Sequence, residues 1–186
     1  MSYFEEETYS KEIKEELSGH EFVGCRFIDL SLAGVSLKNT KFIECEFVNC
    51  NLSNTNVMSS SFRHTSFKKC KLVGINWSTV NSISLISFFE SVLDLCSFMD
   101  IDLSSCEFKN SKVHDVEFSS CNLRGASFEN SSLKNSNFTG ANCEEANFEG
   151  AKDYYIDPHH TNLKDAQFSL PEAISLFSAM EIKISY

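Results

Sequence analysis

From Phe22 to Phe148 an apolar residue recurs at every fifth position, with a single slip of phase. The first register runs Phe22, Phe27, Leu32, Leu37, Phe42 and onward to Trp77. After one extra residue the second runs Ile83, Phe88, Leu93, Phe98 and onward to Phe148. A helical face repeats near 3.6 residues and a half-buried strand at 2, so a sustained period of five belongs to neither and marks a repeat architecture. Two positions before most centres the side chain is small or modest, as at Cys25, Thr40, Cys70, Cys121 and Ala146, while the flanking residues are mostly Asn, Ser, Lys, Glu and Asp. Inward, outward, inward describes a three-residue extended stretch, because successive side chains alternate faces. The remaining two residues of each pentad must turn a corner.

If each pentad turns the chain through about a right angle, four close one coil and residues 20 apart stack. Sorted that way, one column reads Phe27, Phe47, Phe67, Phe88, Phe108, Phe128, Phe148, Phe168, and a second reads Leu32, Leu52, Leu72, Leu93, Val113, Leu133. The third is Leu37, Val57, Trp77, Phe98, Phe118, Phe138, and the fourth is Phe22, Phe42, Phe62, Ile83, Leu103, Leu123, Cys143, Leu163. Residue type persists down columns better than along the chain, so the pattern predicts an all-β solenoid, a quadrilateral β-helix. About seven coils spaced at about 4.8 Å give a rod roughly 34 Å long. Asp102, Asn122, Asn142 and Asn162 recur just outside the wall, where their side chains can satisfy corner backbone groups.

The repeat body spans 20–168 as one domain, preceded by a cap over 1–19 that the pattern leaves open between helix and extended chain. A bulge or bend is expected near 78–82. A corner or loop is expected near 153–160, where Asp153 and Pro158 fall on centre slots. Within 169–186, Ser169-Leu170-Pro171-Glu172 has capping-box spacing ahead of a short helical cap over about 170–180. That helix presents Ala173, Ile174, Phe177 and Met180, followed by Ile182 and Ile184.

The units Cys121-Asn122-Leu123, Gly125-Ala126-Ser127-Phe128, Gly140-Ala141-Asn142-Cys143, Ala146-Asn147-Phe148 and Gly150-Ala151 resemble the A(D/N)LXX units of pentapeptide-repeat proteins. The resemblance covers roughly 20 to 168 and implies a right-handed quadrilateral β-helix. The length, the mid-rod break and the C-terminal cap are further similar to the quinolone-resistance (Qnr-type) and microcin-immunity branches. Those branches imply DNA mimicry, a protein partner that is DNA gyrase or topoisomerase IV, and a homodimer through the C-terminal segment, with Ile174, Phe177 and Met180 as candidate dimer contacts. The large projecting loops of many Qnr-type proteins are absent from this sequence. A plug that merely seals the rod is the alternative reading of the same helix.

Charge sharpens the functional expectation. The chain carries −10 overall, but residues 19–82 hold 4 acids and 7 bases, whereas 83–157 hold 13 acids and 5 bases. Duplex DNA carries one charge per about 1.7 Å, so an 18 Å segment corresponds to roughly 11. Any mimicry must therefore use the later coils, which disfavour direct nucleic-acid binding and attract basic surfaces. The candidate acidic interaction surface is Glu107, Glu129 and Glu149 on one face with Glu144 and Glu145 next to it, and other acids, including Asp94, Asp100, Asp115 and Glu117, lie elsewhere.

Seven of the eight cysteines occupy the inward slot before a centre and Cys143 is itself a centre, so they read as compact buried thiols, not disulfides or zinc ligands. His159-His160 reads as an exposed pair. No histidine adjoins a candidate nucleophile and no glycine-rich phosphate loop occurs, which argues against an enzyme and against a cofactor. The N-terminus lacks a basic start and an apolar core, and no stretch reaches the length of a membrane span, so a cytoplasmic protein is expected. Two functions remain: a DNA-like protector of a type II topoisomerase, and an interaction scaffold for another partner.

Overall fold

A computed structural model of the protein describes residues 2–10, 16–180 and 182. The chain winds as a parallel β-solenoid of about eight turns with one short C-terminal helix. We call the walls face 1 (Phe22 column), face 2 (Phe27), face 3 (Leu32) and face 4 (Leu37). Face 1 begins with Tyr3–Glu5, Glu21–Val23, Lys41–Ile43, Ser61–Arg63 and Ser82–Ser84. Face 2 begins with Thr8–Tyr9, Arg26–Ile28, Glu46–Val48, Ser66–Lys68, Ser87–Phe89 and Glu107–Lys109. Faces 3 and 4 are laddered by single bridges such as Lys112↔Ser132 and Glu117↔Asn137. All pairings are parallel, and the extra residue of the sequence is absorbed in a 3-10 turn at Trp77–Thr79, so that Ser61↔Ser82 and Lys71↔Val92 pair without interruption.

The predicted columns line the interior. Phe108 and Phe128 are fully buried, with ring centroids 5.0 Å apart and 9° between planes. Each also meets Phe118 edge-on, at 5.5 Å in both cases. Stacked contacts along the column and edge contacts between columns satisfy both preferred aromatic geometries at once. The corner residue two after most centres takes a left-handed conformation, as at Asn54 (φ 57°), Asp115 (φ 54°) and Gly150 (φ 68°). Among the described residues no Val, Ile or Thr has a positive φ, as steric cost at Cβ requires. At Gly150 a Cβ would in addition collide with Asn130 Oδ1.

The slot before each centre does more than stay small. Where it carries a hydroxyl or thiol, that group in most cases donates to the carbonyl of a centre one coil below: Thr65 Oγ1 to Phe42 O (3.1 Å), Cys121 Sγ to Phe98 O (2.8 Å), Ser136 Oγ to Val113 O (2.7 Å). Between faces 2 and 3 the same atoms accept amides from below, with Cys70 N–H donating to Ser91 Oγ (3.0 Å), Ser91 N–H to Ser111 Oγ (3.1 Å) and Ser111 N–H to Ser131 Oγ (2.9 Å). Ser111→Ala leaves the buried Ser91 N–H without its acceptor and is expected to cost about 1–3 kcal/mol in urea unfolding. Ser111→Cys, which restores the atom that Cys70 supplies elsewhere in the ladder, is expected to cost less.

On face 1, Asn122 Nδ2 donates to Asp102 Oδ1 (3.0 Å), Asn142 to Asn122 (3.3 Å) and Asn162 to Asn142 (2.8 Å). Each acceptor oxygen also takes the amide two residues on, as Asp102 does from Ser104 (2.9 Å). The predicted corner role is thus met by a continuous side-chain ladder, started by an acidic residue that needs no amide partner beneath it.

Two expectations are corrected, and the loop between them gains two core residues. Residues assigned to a separate cap over 1–19 instead build the first coil: Phe4 stacks on Phe22 and Tyr9 on Phe27, each at 5.0 Å, and Leu17 is buried as a further core residue. The loop near 153–160 sends Tyr154 and Ile156 inward, where both are buried. The capping box does not form, because Pro171 precedes the 3-10 turn Glu172–Ile174 with no side-chain cap and Ser169 Oγ accepts from Gly150 N–H at 2.8 Å. The α-helix is confined to Ser175–Ala179, with Leu176 packed on the core.

Candidate functional site

The repeat places every outward side chain at a fixed face and height, so charges can be read wall by wall. Glu107 and Glu129 lie on face 2, where Lys109 bridges them at 2.7 and 4.0 Å. The hydrogen bond to Glu107 raises the Lys109 ammonium above its ordinary value. Glu149, two coils above Glu107, has no ion-pair partner among the described residues. Glu144 and Glu145 fall on face 1 and its corner, held by Arg124 at 3.6 and 2.8 Å, and Glu144 takes Lys164 at 2.9 Å. The Lys164 hydrogen bond holds the Glu144 carboxyl below the usual range. The five candidate acids are therefore not one free anionic surface: three cations are interleaved with them. On face 3, Lys112 is bound to Asp94 at 2.8 Å, with Lys134 and Lys152 in the coils above.

Face 4 differs. Its later rungs and corners, 95–100, 115–120, 135–140 and 155–157, contain neither Lys nor Arg. Asp100, Asp115 and Glu117 form no ion pair among the described residues, and Glu117 is instead hydrogen-bonded by Asn137 Nδ2 (2.9 Å) and Ser119 N–H (2.9 Å). Partial burial works to raise the Glu117 carboxyl, but these hydrogen bonds outweigh it and hold it below the usual range. The same face exposes Leu95, Met99 and Tyr155 and carries a groove of about 400 Å³ lined by Asn135, Asn137, Thr139, Tyr155 and Asp157. His160 Nδ1 lies 2.7 Å from Asp157 Oδ2, which gives the exposed histidine pair a carboxylate neighbour. The signal for face 4 was present in the sequence: no Lys or Arg follows Lys38 in its column, which becomes visible once charge is counted by column.

Of the candidate dimer contacts, Phe177 and Met180 are exposed and Ile174 is half-buried; Ile182 and Leu170 extend the exposed apolar surface at this end, and Ile184 lies outside the described residues. All eight cysteines are buried free thiols. Among the described residues no group of three metal-binding side chains converges and no helix is long and apolar enough to cross a membrane.

The sequence matches the profile described as "Pentapeptide repeat region" over residues 20–94 and 82–148. Among solved structures it is similar to QnrB1, a plasmid-mediated fluoroquinolone resistance protein, at 16% identity, covering 97% of this chain and 98% of that one with a TM-score of 0.45. It is also similar to HetL of the cyanobacterium Nostoc sp. strain PCC 7120, a protein involved in heterocyst differentiation regulation, at 14% identity, 89% and 84% coverage and a TM-score of 0.39. A pentapeptide repeat protein of the Arabidopsis thaliana thylakoid lumen matches at 25% identity, 70% and 66% coverage and a TM-score of 0.30. A comparison with curated proteins returns no match.

Proposed function

The chain belongs to the pentapeptide-repeat family, and from that premise we propose that it is a non-enzymatic binding protein whose acidic later coils engage a basic, DNA-binding surface of a type II topoisomerase, DNA gyrase or topoisomerase IV, in the cytoplasm. The observation that carries this reading is the division of charge along one rigid rod, 13 acids against 5 bases over 83–157 and the reverse balance over 19–82. A fixed array of carboxylates costs little reorganisation on binding and attracts a cationic cleft at long range. Exposed Phe177 and Met180 support a homodimer that joins two acidic halves end to end. The test is a supercoiling assay with gyrase and a fluoroquinolone: rescue or inhibition across a titration is expected, and a flat response over the whole range would remove the topoisomerase from the proposal.

The second reading, a scaffold for a different basic protein, is favoured by the interleaving of Lys109, Lys112, Arg124 and Lys164 among the acids of faces 1 to 3. A DNA-like surface needs a continuous negative lane, and these three walls offer a patchwork instead. Affinity capture that recovers one defined partner and no topoisomerase subunit distinguishes this reading from the first.

A further inference from the structure

We infer that face 4, from Met99 to Tyr155, is a docking lane for an extended, lysine- or arginine-rich segment of a partner protein bearing one apolar anchor residue. Four observations converge there. The lane is free of Lys and Arg, and its acids Asp100, Asp115 and Glu117 have no cation within ion-pair distance among the described residues. Apolar side chains stand in water along it: Leu95 is 63%, Met99 48% and Tyr155 64% exposed. The groove of about 400 Å³ opens above Asn137, at the point where the bridge series of the face ends with Glu117↔Asn137. Finally, Phe138 N–H, in the groove wall, has no acceptor among the described residues, whereas the equivalent Phe118 N–H donates to Asn137 O at 2.8 Å.

Charge complementarity selects the occupant. Carboxylates on both sides of exposed apolar side chains repel nucleic acid and acidic peptides, and they favour a chain that alternates cations with an apolar contact. From the Phe98 rung to the Ile156 level is about three rungs, or roughly 14 Å, which four or five extended residues cover at about 3.3 Å each. A backbone carbonyl of such a segment can accept from Phe138 N–H. The contact needs no particular partner protein, so its fate is separate from that of the topoisomerase reading.

The test uses the full chain and a fluorescein-labelled peptide in which lysines alternate with serines around one central leucine, read by fluorescence anisotropy. Two triple variants remove the same charge: D100N/D115N/E117Q on face 4 and E107Q/E129Q/E149Q on face 2. Circular dichroism and thermal unfolding confirm that both stay folded. The face 4 variant is expected to weaken binding at least tenfold and the face 2 variant less than twofold, and M99S/Y155S, with charge unchanged, is expected to weaken it severalfold. Equal losses in the two triple variants, indifference to M99S/Y155S, or no binding by the wild type would each overturn the inference. So would a DNA duplex or a second copy of the chain competing for face 4 in place of the peptide. A chain inert towards gyrase that still binds the peptide through face 4 refutes the topoisomerase and leaves the lane standing.

Discussion

Phe108→Ala is expected to destabilise the protein by about 3–5 kcal/mol, a large fraction of the 5–15 kcal/mol that holds a typical domain together. The ring is fully buried, with neighbours above and below at 5.0 Å (Phe128) and 5.2 Å (Phe88) and across the interior at 5.7 Å (Phe98) and 5.5 Å (Phe118). Truncation therefore empties contacts on four sides. The surrounding walls cannot close the gap, because parallel ladders on every face fix the rise per coil, and a cavity that cannot collapse keeps its full cost. In a solenoid each repeat is stabilised mainly by its neighbours, so the loss falls on two coil interfaces together. Phe168→Ala, at the half-exposed end of the same column with Phe148 at 4.9 Å, is expected to cost clearly less. Urea unfolding of both variants checks the contrast; a loss below about 1 kcal/mol at Phe108 would mean that the rings are not a close-packed stack.

The stack was legible because a repeat writes its geometry into the chain many times over. A period of five and columns 20 apart each recur often enough to fix coil size and facing. What escaped the pattern did so for specific reasons. Phe4 and Phe22, like Tyr9 and Phe27, are 18 residues apart, so the first coil breaks the 20-residue count even though its rings stack as the others do. Tyr154 turns inward out of phase, one residue past the centre slot of Asp153, whereas Ile156 continues the inward column of Cys96, Val116 and Ser136 that a count of centre slots alone does not follow. The small residues before each centre are plain in the sequence, but the donor role of the hydroxyls and thiols among them is not, since the carbonyl served lies about a coil back in the chain, as Phe98 does 23 residues before Cys121. Acidic residues were visible individually, yet Glu144 and Glu145 draw Arg124 from one coil below, and that neutralisation belongs to the stacking. The acids of face 4 are few, and what distinguishes this face is the absence of Lys and Arg from its later rungs.

Alkali is expected to unfold the rod cooperatively between about pH 10 and 11, the second large effect, and the cause is its buried thiols. Burial pushes Cys45, Cys106 and Cys121 up to about 11, and Cys96 and Cys143 up to about 12. Cys50 and Cys70 move in opposite directions, Cys50 down and Cys70 up, through the hydrogen bond between them, and are left out of the count that follows. An unfolded thiol ionises near pH 9. Above that pH the unfolded chain has released protons that the folded chain retains, so folding stability is fully present below about pH 9 and falls as pH rises towards the folded values. Each of the five thiols contributes a slope of about 1.4 kcal/mol per pH unit, roughly 7 together, which consumes an ordinary folding stability within one to two units. Circular dichroism and thiolate absorbance followed in one titration should change in a single step. C106A/C121A, at slots that Ala126 and Ala146 fill elsewhere in the repeat, should lessen the slope by about 3 kcal/mol per unit and move the midpoint upward. Thiolates that appear well before the circular dichroism changes, or a slope unaltered in the double variant, would show that ionisation of the buried column is not what opens the coils.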